Sequence, residues 1–131
     1  FHLEAAEDPL KTVSLIRSLG KKTGVAISPE TPVSSIGDDL FSAVDMVLVM
    51  TVKPGFGGQK YIPECTEKVR EVRSRADSLN QKLNIEVDGG IKTENVNVVL
   101  EAGADLIVAG SAVLGGNDAE ERTRAFMELL R

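Results

Sequence analysis

The stretch Met-Val-Leu-Val-Met-Thr-Val-Lys-Pro-Gly-Phe-Gly-Gly-Gln-Lys, residues 46–60, decides the fold. Its first part, Met46–Met50, is uncharged and has the length of a strand that is buried on both faces. The run then stops in a loop that holds Gly55, Gly57 and Gly58. Glycines let a ligand approach the main chain closely, and phosphate-binding loops use this property. A buried strand followed by a ligand-binding loop is therefore the unit from which we interpret the rest of the chain.

Composition and charge narrow the class of protein. The chain has 131 residues, of which 42% are hydrophobic and 27% charged, as is typical of one globular domain. Its net charge of -5 comes without a basic stripe, which argues against a nucleic-acid partner. No run approaches the roughly 18 to 20 apolar residues that span a membrane, and the first residues lack the pattern of a signal peptide. We expect a cytoplasmic protein that binds neither nucleic acid nor membrane.

Strand and helix patterns alternate along the whole chain, which predicts an α/β fold with parallel strands joined by helical crossovers. Two architectures fit, an open doubly wound sheet and a segment of a closed (β/α)8 TIM barrel. The barrel is favoured because several loops that follow strands carry glycine, whereas a doubly wound fold usually has one such loop, after its first strand. The fold class we predict is a partial barrel, made of the last five β/α units. The five predicted strands are residues 1–5, 24–28, 46–50, 83–87 and 105–109.

Polar residues of the predicted strands fall on one face. With a period of two, Glu86 and Asp88 share a face, and His2 and Glu4 share a face of the first strand. We expect these four side chains to point into the barrel. The neighbouring apolar residues would then face the helices.

Loops that contain glycine follow three successive strands, and their amides are expected to converge at one edge of the sheet. Free backbone N–H groups with the N-termini of short helices would form a phosphate site. The alternative is that each pair only makes a tight turn, and for a single pair this would be the better explanation. The residues concerned are Gly57, Gly58, Gly89, Gly90, Gly110 and Ser111.

Asp88 is the strongest candidate for a catalytic or metal-binding residue. A carboxylate at the end of a buried strand, next to two glycines, can act as a general base or a metal ligand. An isolated aspartate in a loop is more often a turn former or a helix cap. The barrel and the neighbouring glycine loops favour the chemical role here.

Five motifs along the chain resemble one enzyme family. They are Phe-His-Leu-Glu-Ala (1–5), Met-Val-Leu-Val-Met-Thr-Val-Lys-Pro-Gly-Phe-Gly-Gly-Gln (46–59), Ile-Glu-Val-Asp-Gly-Gly (85–90), Gly-Ala-Asp (103–105) and Gly-Ser-Ala (110–112). Together they resemble the C-terminal half of ribulose-phosphate 3-epimerase. The resemblance implies that residues 1–131 are the C-terminal portion of a single ribulose-phosphate-binding barrel domain.

The resemblance also implies an activity. Members of the family are isomerases of the pentose phosphate pathway that interconvert D-ribulose 5-phosphate and D-xylulose 5-phosphate. Two aspartates move the C3 proton through an enediolate, which a divalent metal ion (iron, zinc, manganese or cobalt) stabilises. Asp88 matches one of the aspartates, which is also a metal ligand. The positions that match the substrate and phosphate site are Met50, Gly55, Phe56, Gly57, Gly58, Gly89, Gly90, Gly110 and Ser111.

Part of the family's catalytic set has no counterpart in this chain. The second aspartate, two histidine metal ligands and a serine belong to the first strands of the family's barrel, and His2 is not a replacement for them. We therefore expect a chain that forms a homo-oligomer or is completed by a missing N-terminal half. Two alternatives stay open: a non-catalytic module that binds phosphate or serves assembly, and an epimerase for another ketose phosphate, such as a hexulose phosphate.

Overall fold

A computed structural model describes residues 1–79 and 82–130. Four parallel strands form one sheet in the order β1-β2-β3-β4, so strands adjacent in sequence are also adjacent in space. They are β1 (Gly24–Ile27), β2 (Met46–Met50), β3 (Asn84–Asp88) and β4 (Leu106–Val108). A doubly wound sheet reverses its strand order at a switch point, and these four strands contain no such reversal. The fold is α/β, as predicted.

Helices separate the strands. They are α1 (Pro9–Ser18), α2 (Asp38–Ala43), α3 (Cys65–Ser78), α4 (Val96–Glu101), α5 (Ser111–Leu114) and α6 (Ala119–Leu129), with short 3-10 turns at Leu3–Ala5 and Val33–Ser35. The first helix begins as its sequence indicates, because the Asp8 carboxylate accepts a hydrogen bond from the N–H of Lys11 at 3.0 Å and Pro9 follows. Among the described residues, no helix has the length and apolar character needed to cross a membrane.

The core lies between one face of the sheet and the helices. Alternate strand residues are fully buried there, and Val47, Val49, Ile85 and Val87 are 0% exposed. They belong to one cluster with residues of α1, α3 and α4. The alternation predicted for β3 is therefore confirmed.

The opposite face of the sheet carries the remaining side chains, and we call it the second face. Glu86 lies there between Leu48 and Leu106, and Asp88 lies between Met50 and Val108. Leu106 and Val108 are 41% and 38% exposed. The second face thus combines two carboxylates with apolar side chains that are only partly covered.

The prediction of a strand over residues 1–5 is wrong. Only His2 forms a bridge, to Ala26 of β1, and a 3-10 turn begins at Leu3. The N–H of Ala5 donates to the carbonyl of His2 at 3.1 Å, so the backbone turns instead of extending. Glu4 consequently does not follow the period of two.

A second prediction is wrong in part: the spacing of apolar residues in the last helix predicts that Ala125, Phe126, Leu129 and Leu130 form one buried face. Phe126 is buried, whereas Ala125, Leu129 and Leu130 are exposed. The reason is that α6 packs mainly against α5. An amphipathic pattern shows which face is apolar but does not show what covers it.

Arg73 of α3 joins the helix to β3 and β4. Its Nε and Nη2 donate to the carbonyl of Gly103 at 3.2 and 3.1 Å, and Nη2 donates to Asp105 Oδ2 at 2.6 Å. The same Asp105 oxygen accepts the N–H of Ile85 at 2.8 Å. We expect Arg73→Met to lower the free energy of unfolding by about 1 to 3 kcal/mol, because the carbonyl and the carboxylate both lose donors. Urea unfolding followed by circular dichroism measures this loss.

A matched control for Arg73 lies on the same helix. Arg70 contacts Glu67 on the surface, and their side chains are 49% and 76% exposed. Arg70→Met should change the free energy of unfolding by less than about 1 kcal/mol, since solvent screens exposed pairs. Equal losses for the two variants would contradict the role given to Arg73.

Glu4 anchors the loop after β1. Its carboxylate accepts the N–H of Ser28 at 2.7 Å and the hydroxyl of Thr31 at 2.5 Å. Burial disfavours the ionised form, but the hydrogen bonds from Thr31 and Ser28 outweigh it and lower the pKa of Glu4 from 4.5 to about 2. A pKa that is lower in the folded state adds stability above the unfolded value, and this stability is lost as the pH falls through the folded one.

We therefore expect the wild type and Glu4→Gln to differ most in free energy of unfolding above about pH 4.5, with the difference shrinking towards about pH 2. Urea titrations of both proteins across that window measure the difference. A difference that stays constant with pH would show that the ionised carboxylate does not anchor the loop.

Candidate functional site

A cleft of about 370 Å³ lies at the C-terminal ends of β2, β3 and β4. Parallel strands end at the same edge of the sheet, so the loops that follow them meet there. The residues that line the cleft are Met50, Val52, Lys53, Pro54, Gly55, Phe56, Gly57, Gly58, Gln59, Asp88, Gly89, Gly90, Ile91, Val108, Ala109, Gly110 and Ser111.

Every site residue predicted from the sequence lines this one cleft. Met50 comes from the end of β2, Asp88 from the end of β3, and Gly110 and Ser111 from the start of α5. Phe56, at 73% exposure, projects from the loop after β2. The residues are brought together, while the role of each stays a prediction.

The loop after β2 is shaped by glycine and by one glutamine. Gly55 and Gly58 have φ of +143° and +76°, values that side chains rarely allow. The Gln59 side-chain amide donates to the carbonyls of Lys53 at 2.6 Å and Phe56 at 2.8 Å. Gln59 thus holds the two limbs of the loop together from within the loop.

The turn after β3 requires glycines, because there is no space for a Cβ atom at Gly89 or Gly90. Gly90 has a φ of +66°, and a Cβ there would lie 2.3 Å from the backbone nitrogen of Tyr61. At Gly89, with a φ of +130°, a Cβ would lie 2.5 Å from a methyl group of Val52. The side-chain amide of Asn95 donates to the carbonyl of Gly90 at 3.0 Å. This turn is therefore packed directly against the loop after β2.

Several residues that line the cleft have backbone N–H groups without a backbone acceptor. Within residues 1–79 and 82–130, the N–H groups of Gly57, Gly58, Gly90 and Ser111 donate no hydrogen bond to a backbone carbonyl. Backbone amides at glycine turns and at a helix start form anion sites when several of them converge. Lys53 also lines the cleft, and its positive charge is shared with Glu30, whose Oε1 lies 3.7 Å from Lys53 Nζ on the exposed surface. The arrangement can bind an anion such as a phosphate group.

Two carboxylates of β3, those of Glu86 and Asp88, lie on the second face. Asp88 is the last residue of β3 and lines the cleft, and Glu86 lies one pleat deeper on the same strand. Burial raises the pKa of Glu86, and the charge of Asp88 raises it further. The deeper carboxyl is thus easier to protonate than an ordinary glutamate, first because burial disfavours its charged form and second because it shares this face with the charge of Asp88.

The donors of the cleft do not by themselves form a metal site. No group of three or more His, Cys, Asp or Glu side chains is close enough to hold an ion within the part of the chain that the structure describes. Asp88 offers carboxylate oxygens, which suit a divalent cation, but further ligands would have to come from outside these residues.

Three site features were missed by the sequence-based reasoning. Lys53 lines the cleft, Gln59 holds the glycine loop, and Thr51 is fully buried beneath it. Both Lys53 and Gln59 lie inside the quoted loop and could have been proposed from their neighbours. Nothing in the sequence around Thr51 distinguishes a buried hydroxyl from a solvated one.

Comparisons with known proteins agree with the motifs. Residues 1–114 match the model of the "Ribulose-phosphate 3 epimerase family". A protein named ribulose-phosphate 3-epimerase from Bacillus subtilis is 47% identical over 129 residues, which cover 98% of this chain and 58% of that protein. One of the same name from Escherichia coli K12 is 44% identical over 118 residues, covering 90% and 52%. A third, from Aquifex aeolicus, is 42% identical over 129 residues, covering 98% and 58%. The chain thus spans about half the length of the curated relatives it matches.

Proposed function

Because the chain belongs to the ribulose-phosphate 3-epimerase family, we propose that it supplies the phosphate site and one acid/base carboxylate of that enzyme. The reaction would interconvert D-ribulose 5-phosphate and D-xylulose 5-phosphate. The observation that carries the proposal is that the free amides of the glycine loops and the carboxylate of Asp88 line one cleft.

The phosphate group of the substrate would bind to the glycine loops. Amides of Gly57, Gly58, Gly90 and Ser111 would donate to its oxygens, and Lys53 would add charge at the rim. Charge-assisted hydrogen bonds of this kind are stronger than neutral ones. A phosphate held there would place the sugar towards Met50 and Asp88.

Asp88 would act on the C3 proton. Its carboxylate would accept the proton from C3 while the electron pair moves to the C2 carbonyl oxygen and forms an enediolate. Inversion requires a proton from the opposite face of C3, which one carboxylate cannot deliver. Among the described residues, Asp88 is the one acidic side chain that lines the cleft, and the second acid would come from the part of the enzyme that completes the site.

The second face is where the missing part would lie. We propose that the four strands, in sequential order, belong to a (β/α)8 barrel whose interior is the second face. Further strands would cover Leu106 and Val108, which are 41% and 38% exposed. They would come from an N-terminal half or from another copy of the chain. The cytoplasmic location stays a prediction.

We propose that a divalent metal ion binds only to the completed site. Asp88 would be one of its ligands, and the others would come from the added strands. Bound there, the ion would stabilise negative charge on the enediolate oxygen. Its identity does not affect the roles given to the residues of this chain.

The test is exchange of the C3 proton of D-ribulose 5-phosphate in deuterated water, followed by NMR. The chain alone should not catalyse exchange. The chain combined with the part of the Bacillus subtilis relative that it does not match should do so. Exchange by the isolated chain that survives Asp88→Asn, or no exchange from a folded complex of the two parts, would contradict the proposal.

A second candidate function is a non-catalytic phosphate-binding module, favoured by the single aspartate in the cleft. Calorimetry with D-ribulose 5-phosphate, with and without a divalent metal ion, separates the two. Binding to the complex of the two parts that does not respond to metal, with no exchange, favours the module. The same exchange assay with a hexulose phosphate tests the alternative substrate.

A further inference from the structure

Thr51 lies directly behind the wall of the cleft. It follows β2, is 0% exposed, and lies between Met50 and Val52, both of which line the cleft. A buried threonine hydroxyl needs a hydrogen-bond partner, and the partner here is part of the candidate site.

Three hydrogen bonds converge on Thr51. Its hydroxyl donates to the carbonyl of Gly89 at 2.6 Å, and its N–H donates to the carbonyl of Asp88 at 2.9 Å. Its own carbonyl accepts the N–H of Ile62 at 2.9 Å. One residue thus ties the end of β2 to the turn after β3 and to the point where the glycine loop returns.

Because a peptide unit is planar, the hydrogen bond from Thr51 also fixes the orientation of the Gly90 N–H. The carbonyl of Gly89 and the N–H of Gly90 belong to one trans peptide unit, so they point in opposite directions. Because the hydroxyl of Thr51 holds this carbonyl, the N–H of Gly90 points away from Thr51, and Gly90 itself lines the cleft. The bond from Asn95 to the carbonyl of Gly90 fixes the next peptide unit.

We propose that Thr51 is a positioning residue for anion binding: its hydroxyl presents the Gly90 amide to the phosphate, and its N–H fixes the backbone that carries the Asp88 carboxylate. This inference rests on the proposed function of the cleft. It differs from a purely structural role, in which loss of the hydroxyl would lower stability without changing affinity for phosphate.

The test uses the 131-residue chain with Thr51→Val, which removes the hydroxyl at nearly constant shape, and Thr51→Ser, which keeps it. Thr23→Val is the matched control, because Thr23 is also buried but lies before β1, at the opposite edge of the sheet. Calorimetry measures affinity for inorganic phosphate. NMR follows the Gly90 amide during the same titration, and urea unfolding checks that each variant is folded.

We expect Thr51→Val to weaken phosphate binding about tenfold, the order of one lost charge-assisted hydrogen bond. Thr51→Ser should restore affinity to within about threefold, and Thr23→Val should leave it unchanged. In the wild type, the Gly90 amide proton should shift downfield as phosphate binds.

The outcomes test the role of Thr51 separately from the proposed function of the cleft. If the wild type binds phosphate but Thr51→Val binds it equally well, or if the Gly90 amide does not respond, the role of Thr51 is wrong. If Thr51→Val does not fold, the Gly90 shift in the wild type and the affinity of Thr51→Ser decide the question. If the wild type binds neither phosphate nor D-ribulose 5-phosphate, the proposed function of the cleft is itself wrong.

Discussion

Replacing Gly90 with alanine is expected to lower the free energy of unfolding by more than about 2 kcal/mol and to abolish phosphate binding. Two effects add at this position. A Cβ would lie 2.3 Å from the backbone nitrogen of Tyr61, an atom that cannot move without displacing the chain before α3. The φ of +66° is also unfavourable for alanine. Urea unfolding and calorimetry with inorganic phosphate measure the two losses separately.

Gly57→Ala is the matched control, because Gly57 lines the same cleft but a Cβ there would meet nothing within 4 Å. Its φ lies outside the positive range in which side chains are strained. We expect its free energy of unfolding to stay within about 0.5 kcal/mol of the wild type. If Gly90→Ala were as stable as Gly57→Ala, the close approach of the turn after β3 to Tyr61 would be disproved.

The site could be predicted from the sequence because of how parallel strands are arranged. Residues at the ends of β2, β3 and β4 are far apart along the chain, yet sequential parallel pairing brings Met50 beside Asp88 and Asp88 beside Val108. Once the strands are recognised as parallel, the convergence of the loops that follow them can be predicted without further information. Loops that contain glycine at three such strand ends then point to a single cleft.

Other features depend on contacts that no local pattern encodes. Residues 1–5 alternate like a strand, but the structure turns after His2, and Glu4 binds to a loop more than twenty residues away. Thr51 bonds to Gly89, which is 38 positions further along the chain. The spacing of apolar residues in α6 indicates one apolar face but does not show what packs on it, and α6 packs mainly against the short helix α5. Each case was decided by a tertiary contact.

The two halves of the proposed site differ in what they require. In the proposed site, binding of the phosphate would depend on backbone amides, whose positions would be set by glycines and by Thr51 within this chain. Proton transfer would need acidic or basic groups on both faces of the sugar, and among the residues that the structure describes Asp88 is the one carboxylate in the cleft. Affinity for phosphate and catalysis of exchange should therefore be separable by mutation.

Asp88→Asn should separate them. In the chain combined with the unmatched part of the Bacillus subtilis relative, we expect this variant to lower the rate of C3 proton exchange by about 10² to 10⁴-fold, the usual contribution of a positioned acid/base group. Asparagine has nearly the same shape but cannot accept the proton. Affinity for inorganic phosphate should change little, because the amides of Gly57, Gly58 and Ser111 do not depend on this side chain.

Asp118→Asn provides the matched control. Asp118 is exposed at the N-terminus of α6, and its side chain makes no capping hydrogen bond there. It lines a neighbouring groove but not the cleft, so its loss of charge should leave both exchange and phosphate affinity unchanged. If Asp88→Asn and Asp118→Asn exchanged the C3 proton at equal rates, Asp88 would not be the acid/base group. The amides could then still bind phosphate, and the non-catalytic module would become the better description of this cleft.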